Sequence, residues 1–495
     1  MFKRLVIGST LCILFSHGNA SAQGICPLNG TSSNKLICVL PQVFGPFGLG
    51  SSGNAPGAPL KFNFGHEGHF EGEFLSNFGP INEAVGIQVS QLPIASPSSS
   101  ISFIYDPTLK TFAPATEESL GPILGERANT IGRHKIYVAF SYQYFNFNSI
   151  DGQDTNHIPS VLKHAAIGPS NSSPLSFLHS CPNQDGLTGP YAQSPCFVRD
   201  YIQTTNNIDL TVHQYTLYAT YGITRHLDFS VAVPILDVRM KVLTDATIVQ
   251  NSFGPGGTAF HQFDPNIVSS CGSTSPCFNG TFSSSGSASG IGDVVLRGKY
   301  EMYHGERFGF AMGVDVRLPS GDEQNFLGSG AVGVRPFGLV SYRARVSPHA
   351  TVGYEVNGKS ILAGDFVGRT ATNTKAGLPN RFVYVVGADA SIVKRLTGSF
   401  DIYGQRLFGI PQLFSSPFTD FGKCSDVNCT MLTPGTAHPD LGIRSNADYN
   451  IISASVGLKY RAFRKLVLSG NVLLKLNDAG LRATAVPLAG VSYSF

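Results

Sequence analysis

From residue 134 to the carboxyl terminus, apolar residues recur at every second position. In residues 308–318 the alternate positions are Phe, Met, Val or Leu, and Gly, Ala, Asp or Arg fill the positions between them. This period places one set of side chains on each face of a β-strand. After residue 15 no apolar run approaches the roughly 18 residues that a membrane-spanning helix needs. If this chain crosses a bilayer, strands must carry it across.

About twelve segments share the alternation, and each has the length of a tilted membrane strand. They are residues 134–147, 207–221, 227–242, 289–303, 308–319, 331–346, 350–358, 380–393, 398–408, 449–462, 466–476 and 483–495. Short turns alternate with long polar connections such as residues 148–206, 243–288, 359–379 and 409–448. Outer-membrane barrels have short periplasmic turns and long outer loops. The sequence therefore predicts an all-β protein, an antiparallel transmembrane β-barrel over residues 134–495.

A secreted β-sandwich is the soluble alternative, because it also combines many strands with disulfides. A sandwich turns its apolar face inward, whereas here that face ends in aromatic residues that resemble an interfacial girdle. These are Tyr142, Tyr144, Tyr300, Phe408 and Tyr460. Only 14% of the residues are charged and the formal net charge is +3. This charge balance leaves no large excess of lysine and arginine to bind the phosphates of nucleic acid. We therefore exclude nucleic acid as a partner.

Two strands, residues 207–221 and 227–242, change their apolar face midway. In the first of them Ile208, Leu210 and Val212 give way to Tyr215 and Leu217. A β-bulge or an extension above the membrane would account for the change.

The amino-terminal residues predict export. Lys3 and Arg4 precede the apolar residues 5–15, and Ala20-Ser21-Ala22 forms a cleavage signature, so residues 1–22 are interpreted as a signal peptide. An uncleaved anchor or a lipoprotein is the weaker alternative. Residues 23–133 do not alternate cleanly and are expected to form a lumen plug or a periplasmic arm. Segments 85–92 and 100–105 would otherwise add two strands, giving fourteen.

Eight cysteines follow the predicted signal peptide and fall into close pairs. An even number, close spacing and export favour four local disulfides over a metal site. The expected pairs are Cys26 with Cys38, Cys181 with Cys196, Cys271 with Cys277, and Cys424 with Cys429.

No motif predicts catalysis, a metal or a cofactor. Residues 66–74 gather two His and three Glu, but without an HExxH pattern they are interpreted as a solvated loop or strand face. No GxSxG elbow occurs, and the dispersed candidates His213, Asp228 and Asp237 show no telling spacing. We therefore expect a protein that is not an enzyme.

Charged residues occupy midstrand positions on the face opposite the apolar one. We predict that they line the pore; they are Arg297, Asp315, Arg317, Arg335, Glu355, Arg381, Asp389 and Asp401. Arg297 and Asp315 fall nearly opposite each other across a hairpin and are expected to pair. Such charges either fill the barrel interior as satisfied pairs or set the polarity of a conduction path.

Several stretches resemble the phenol-degradation (meta-pathway) family of bacterial outer-membrane proteins, often described as transporters. They are GERANTIG at 125–132, FNSIDGQD at 147–154, GIGDVVLRGKY at 290–300, LPSGDEQNFLGSG at 318–330 and GYEVNG at 353–358. Val491, Tyr493 and Phe495 end the chain in a pattern similar to the signal that the barrel assembly machinery recognises. The resemblance covers roughly residues 85–495, and it implies a barrel linked to small-molecule passage.

The expected function is that of a channel or transporter in the bacterial outer membrane. It would pass small hydrophobic or aromatic molecules by diffusion through a partly occluded lumen, with membrane lipid around the barrel. The alternative is a structural or surface-binding protein that acts through disulfide-stapled outer loops.

Overall fold

The computed structural model describes most of the chain after residue 23. The described residues are 24–49, 58–62, 70–93, 103–106, 111–114, 119–163, 199–251, 259, 261–271, 276–367, 373–420, 422–423, 431, 433–463 and 465–495. The predicted signal peptide lies outside them.

Twelve antiparallel strands form a closed barrel, and they correspond to the twelve predicted segments. They are β1 (Ile136–Phe147), β2 (Tyr201–Gly222), β3 (Leu227–Val249), β4 (Val295–His304), β5 (Phe308–Arg317), β6 (Gly333–Tyr342), β7 (Val346–Asn357), β8 (Arg381–Val393), β9 (Leu396–Ser415), β10 (Leu441–Arg461), β11 (Leu466–Lys475) and β12 (Ala485–Ser494). Each strand pairs with the next, and β12 pairs with β1 to close the sheet. Closure leaves the barrel without free edges.

The alternation decides which face of each strand is inside. Side chains such as Tyr300, Met312, Val352 and Phe400 are exposed on the outer surface, whereas their neighbours along each strand are small or charged and face inward. An apolar outer surface on a closed barrel matches a lipid environment. The chain is a bacterial outer-membrane β-barrel, as the sequence predicted.

Strands β2 and β3, with 22 and 23 residues, are the longest in the barrel, and β9 and β10 follow with 20 and 21. The pairing of β2 with β3 is continuous from Tyr201 to Gly222 with no register shift, so the bulge alternative is wrong and the strands continue as one long ladder. One face stays buried throughout but changes from polar residues such as Thr216 to apolar ones such as Val212. The apolar residues of the extension therefore face inward, and Asp237, Arg239 and Lys241 lie on its outer face.

Two further strands thicken this side of the molecule. Asn279–Ile291 pairs with β3, and Ile158–Lys163 pairs with β2. Ile158–Lys163 and most of Asn279–Ile291 arise from connections that the sequence predicted as long loops, whereas residues 289–291 were wrongly predicted as the start of the barrel strand that begins at Val295.

Helix α1 (Glu71–Val89) precedes the barrel, and it corrects the fourteen-strand alternative. Residues 85–89 belong to this helix, and Phe103–Asp106 pairs only with Thr111–Pro114 in a separate hairpin. Val85, Ile87 and Val89 are all buried although they alternate in sequence, because α1 is enclosed on more than one side. A helix that is apolar around much of its circumference loses the 3.6-residue signature and resembles a strand locally.

Short elements connect these parts. The remaining strands are Leu60–Phe62 with His261–Phe263, Ser149–Ile150 with Gln153–Asp154 and Leu481–Arg482, Lys359–Ser360 with Ala376–Gly377, and Phe418–Thr419 with Ala437–His438. Single 3-10 turns occur at Leu36–Cys38, Ser269–Cys271, Glu323–Asn325 and Ile361–Ala363. Among the described residues, no helix combines the length and apolar character needed to cross a membrane.

The largest hydrophobic core lies at the long-loop end rather than in the middle of the barrel. It joins Leu36 and Phe44 of the amino-terminal segment to α1, to the inner face of the β2–β3 extension and to the loops. Phe44 packs edge-on against Phe282 with ring centroids 4.8 Å apart.

Two of the four predicted disulfides lie in this core: Cys26–Cys38 and Cys271–Cys277. Cys181, Cys196, Cys424 and Cys429 lie outside the described residues.

Candidate functional site

All eight charged residues predicted to line the pore lie on the inner face of the barrel strands. Six of them are buried, and the other two, Arg297 and Arg335, keep side-chain exposures of only 15% and 24%. Each takes part in an ion pair or a charge-assisted hydrogen bond. The arrangement falls into three groups along the lumen.

The first group is centred on Asp315. Arg297 lies directly opposite it in the β4–β5 register, as predicted. The Arg297 guanidinium donates two parallel hydrogen bonds, with Nε 2.6 Å from Oδ1 and Nη2 2.8 Å from Oδ2. From the other side Arg335 of β6 donates through Nε at 3.0 Å. The two arginines and the carboxylate hold one another in fixed positions, because bidentate ion pairs fix the orientation of both partners.

The second group is a chain of alternating charges towards the loop end. Arg317 donates to Asp293 at 2.9 Å and to Glu355 at 3.0 Å. Glu355 also accepts from Arg381 Nε at 2.8 Å, and Arg381 Nη1 donates to the carbonyl of Gln91 just beyond α1. The chain therefore ties β5, β7 and β8 to the amino-terminal segment.

The Asp293 carboxylate links two of the sequence stretches that resemble the family. Its carboxylate accepts from the backbone N–H of Ser329 at 2.8 Å and of Gly321 at 3.2 Å, and also from the Ser329 hydroxyl. GIGDVVLRGKY supplies this aspartate, and LPSGDEQNFLGSG supplies the loop that it holds. A single buried carboxylate explains why both stretches fold against one another.

The third group contains Asp389 and Asp401, which flank His349. His349 Nε2 lies 2.6 Å from Asp401 Oδ1, and Arg127 Nη2 donates to Asp389 Oδ2 at 2.5 Å. The Ser119 hydroxyl also contacts Asp389. Sequence reasoning did not assign His349 to this set, although its inward position on β7 follows from the alternation.

Residues 119–131 run along the inner face of the barrel and contribute partners that the sequence prediction missed. Glu126 accepts from Arg297 at 2.5 Å and lies 2.9 Å from Lys299 Nζ. Lys459 Nζ donates to the carbonyl of Pro122 at 2.5 Å, and the backbone N–H of Ile131 donates to Asp228 at 2.9 Å. The sequence feature that could have indicated these contacts is the adjacent Glu126 and Arg127 of GERANTIG, which come shortly before the first strand.

An internal cavity of about 160 Å³ lies where these groups meet. Six of the eight predicted residues line it, all except Asp389 and Asp401. The rest of the wall is largely aromatic and aliphatic: Leu92, Pro93, Leu124, Tyr218, Phe337, Val383, Tyr384 and Tyr403. Arg297 lies 4.8 Å over the ring of Phe337. Glu126 and Asp293 also line the cavity, which thus combines apolar surface with eight charged side chains that are paired with one another.

Other predicted residues lie apart from the cavity. His213 is on the outer face with Nδ1 2.9 Å from the Tyr142 hydroxyl, Asp237 is its register partner there, and Asp228 is buried near the β2–β3 turn. Val491, Tyr493 and Phe495 are exposed on the outer face at the carboxyl end, with the last two rings 4.7 Å apart. Among the described residues no cluster of three His, Cys, Asp or Glu side chains is placed to hold a metal ion, and most of residues 66–74 lie outside the described side chains.

Three solved structures illustrate what the fold is similar to. An outer membrane channel from Pseudomonas putida F1 has 10% identity and a TM-score of 0.38, and the match covers 74% of this chain and 98% of that one. A FadL homologue from Pseudomonas aeruginosa has 8% identity and a TM-score of 0.26, covering 73% and 89%. The outer membrane channel DcaP of Acinetobacter baumannii has 10% identity and a TM-score of 0.24, covering 73% and 96%. Sequence identity and TM-score are low in each case. The evidence for a barrel is therefore the strand pairing of this chain itself.

No curated protein sequence matches the chain. A family model described as "Putative MetA-pathway of phenol degradation" matches residues 192–382, which include β2 to β7 and the start of β8. The resemblance predicted from the motifs is confirmed: over residues 192–382 the chain carries the sequence pattern of this phenol-degradation family.

Proposed function

We propose that this barrel is an outer-membrane channel for small hydrophobic or aromatic molecules, and that its amino-terminal segment occludes the lumen as a plug. The observation that carries the proposal is the cavity of about 160 Å³ inside the barrel. An apolar cavity of roughly 150 Å³ in another protein holds a benzene molecule. The volume therefore suits a solute of about one aromatic ring.

The chemistry of the cavity wall supports an apolar solute over an ion. Arg297, Arg317, Arg335 and Arg381 line the cavity, and each already binds a carboxylate. A charge that is neutralised at close range contributes little field to attract an ion. Tyr218, Phe337 and Tyr403 offer ring faces and edges that interact favourably with another aromatic ring.

The plug proposal rests on the contacts of residues 119–131. Glu126 and Arg127 bind inward-facing charges on β4 and β8, and Leu124 lines the cavity wall. Displacement of this segment would have to break several buried ion pairs. Passage is then by local rearrangement of the segment rather than through a permanently open pore.

Liposome swelling with single-ring aromatic solutes tests the proposal. Wild-type protein in liposomes should admit an aromatic alcohol faster than a sugar of similar mass and should conduct ions poorly. The double variant Glu126→Gln/Arg127→Gln should increase both rates, because it removes the charges that hold the segment. Asp237→Asn, which changes an outer-surface carboxylate, is the matched control and should leave both rates unchanged.

Two outcomes would contradict the proposal, one for the channel and one for the plug. The first is that wild type, the double variant and a deletion of residues 23–84 all stay closed to aromatic solutes. In that case the alternative of a surface-binding barrel takes its place. The second is that wild type conducts ions freely, which would contradict the plug while leaving a channel.

A further inference from the structure

The short-turn end of the barrel is strongly cationic. Its six segments, here called the turn rim, are residues 132–135, 222–227, 304–307, 342–346, 393–396 and 461–466. Together they hold eleven of the 35 lysines and arginines of the chain but only one of its 32 acidic residues, Glu306. Charges of one sign that gather this densely repel one another unless an anion lies beside them.

Six of these eleven cations are not held by a carboxylate of the described part of the chain. Those that are exposed and form no ion pair with a carboxylate among the described residues are Arg133, Arg307, Arg345, Lys394, Arg395 and Lys465. The four arginines that line the cavity, by contrast, each bind a carboxylate. These six charges of the rim therefore remain available to a ligand outside the protein.

The rim lies at the level of a membrane interface. Tyr221, Tyr342 and Phe308 are exposed on the outer surface at the ends of the strands that the rim connects, and Phe495 is exposed where β12 ends. Tyrosine and other aromatic side chains gather at the headgroup level of a bilayer. Arg307 and Arg343 adjoin Phe308 and Tyr342 in sequence, so their charged groups reach the depth of lipid phosphates.

The distribution of the rim cations around the barrel indicates the kind of ligand that they bind. Each of the five hairpin turns and the entry to β1 carries at least one lysine or arginine, so the cations form a closed ring. A protein partner would cover one side of this ring, whereas lipid surrounds all of it. We propose that the turn rim binds the anionic phospholipid headgroups of the inner leaflet. Polybasic surfaces attract such headgroups by Coulomb interaction.

The test is lipid selectivity measured by electron spin resonance with spin-labelled phosphatidylglycerol and phosphatidylcholine. Wild-type protein in mixed vesicles should immobilise phosphatidylglycerol preferentially. The variant Arg345→Gln/Lys394→Gln/Arg395→Gln/Lys465→Gln should reduce the relative association constant about tenfold at low salt, and added salt should reduce the wild-type preference in the same direction. Retention of a heat-dependent gel shift confirms that the variant is folded.

A matched variant removes four exposed cations from the long-loop end: Lys359→Gln/Lys375→Gln/Arg406→Gln/Arg444→Gln. It should keep the selectivity of wild type. Equal association of both lipids with wild type would overturn the proposal. So would unchanged selectivity in the rim variant accompanied by loss of binding to heparin, which would identify an acidic polymer as the ligand instead. Neither result depends on whether solutes pass through the barrel.

Discussion

At the scale of single residues, buried charge is the organising feature of this barrel. The alternation alone placed all eight predicted charges on the inner face and paired Arg297 with Asp315, because register follows from a short hairpin. It did not reveal Asp293 or His349 as members of the networks. Their partners come from distant loops and from residues 119–131. The alternation of apolar residues along a strand cannot predict contacts with segments outside the strands.

Removal of the Asp293 carboxylate should strongly destabilise the protein. Asp293→Ala leaves Arg317 without one of its two carboxylates and frees the loop at Ser329 and Gly321. Breaking a buried ion pair from one side costs about 3–5 kcal/mol. Urea unfolding of the refolded protein in detergent measures the loss. Asp237→Ala is the control, and a loss as small as that of this exposed pair would contradict the assigned role.

Glu83 on α1 should make stability depend on pH. Burial raises the pKa of this carboxyl from 4.5 to about 7. A raised pKa means that the folded protein holds the proton more tightly, so stability is greatest below pH 4.5 and falls as pH rises towards 7. Glu83→Gln should therefore stabilise by about 2 kcal/mol at pH 8 and have little effect at pH 4. Thermal unfolding at the two pH values measures this, and an equal effect at both would count against it.

At the scale of elements, strands were predictable and the amino-terminal helix was not. Each barrel strand has one face in lipid and one in the lumen, and two contrasting environments leave a clear alternation in sequence. Helix α1 is enclosed instead, and Val85, Ile87 and Val89 are all buried. The long β2–β3 ladder was recognisable because the apolar residues of these strands change from the outer face to the inner face between Tyr215 and Val212.

The extension should tolerate charge on one face only. Val212 and Val238 are register partners, and both are fully buried towards the core. Val212→Asp would bury a carboxylate without a partner and should cost several kcal/mol. Thr211→Asp, one residue away on the outer face, should cost less than about 0.5 kcal/mol. Equal losses in urea unfolding would mean that the inner and outer faces are misassigned.

At the scale of the whole molecule, the sequence predicted the barrel, its strand number and its lipid-facing surface. The amino-terminal segment was expected only as a plug or an arm, because its contacts depend on the closed barrel and leave no local pattern. The absence of tryptophan is useful here. Any tryptophan that is introduced becomes the only one in the chain and reports its own surroundings.

Single tryptophan variants should separate the two faces of the barrel. Phe400 is exposed on the outer surface and Phe337 is buried inside. Fluorescence of Phe400→Trp should be quenched by lipids brominated on their acyl chains, because the ring contacts those chains. Phe337→Trp should be quenched far less in the same vesicles. Similar quenching at both positions would be incompatible with the barrel orientation described above.

The path of the amino-terminal segment has a consequence for biogenesis. Leu36 and Phe44 pack in the core at the long-loop end, whereas Ile131 binds Asp228 near the short turns. The chain therefore passes from one mouth of the barrel to the other before its first strand begins. Two orders of assembly are possible. Either β12 pairs with β1 while the amino-terminal segment already lies inside the open sheet, or the segment is inserted into the barrel after it has closed. Because it precedes the barrel in the chain and fills the lumen with charged partners, we expect enclosure, with the segment acting as a template on which the wall is completed.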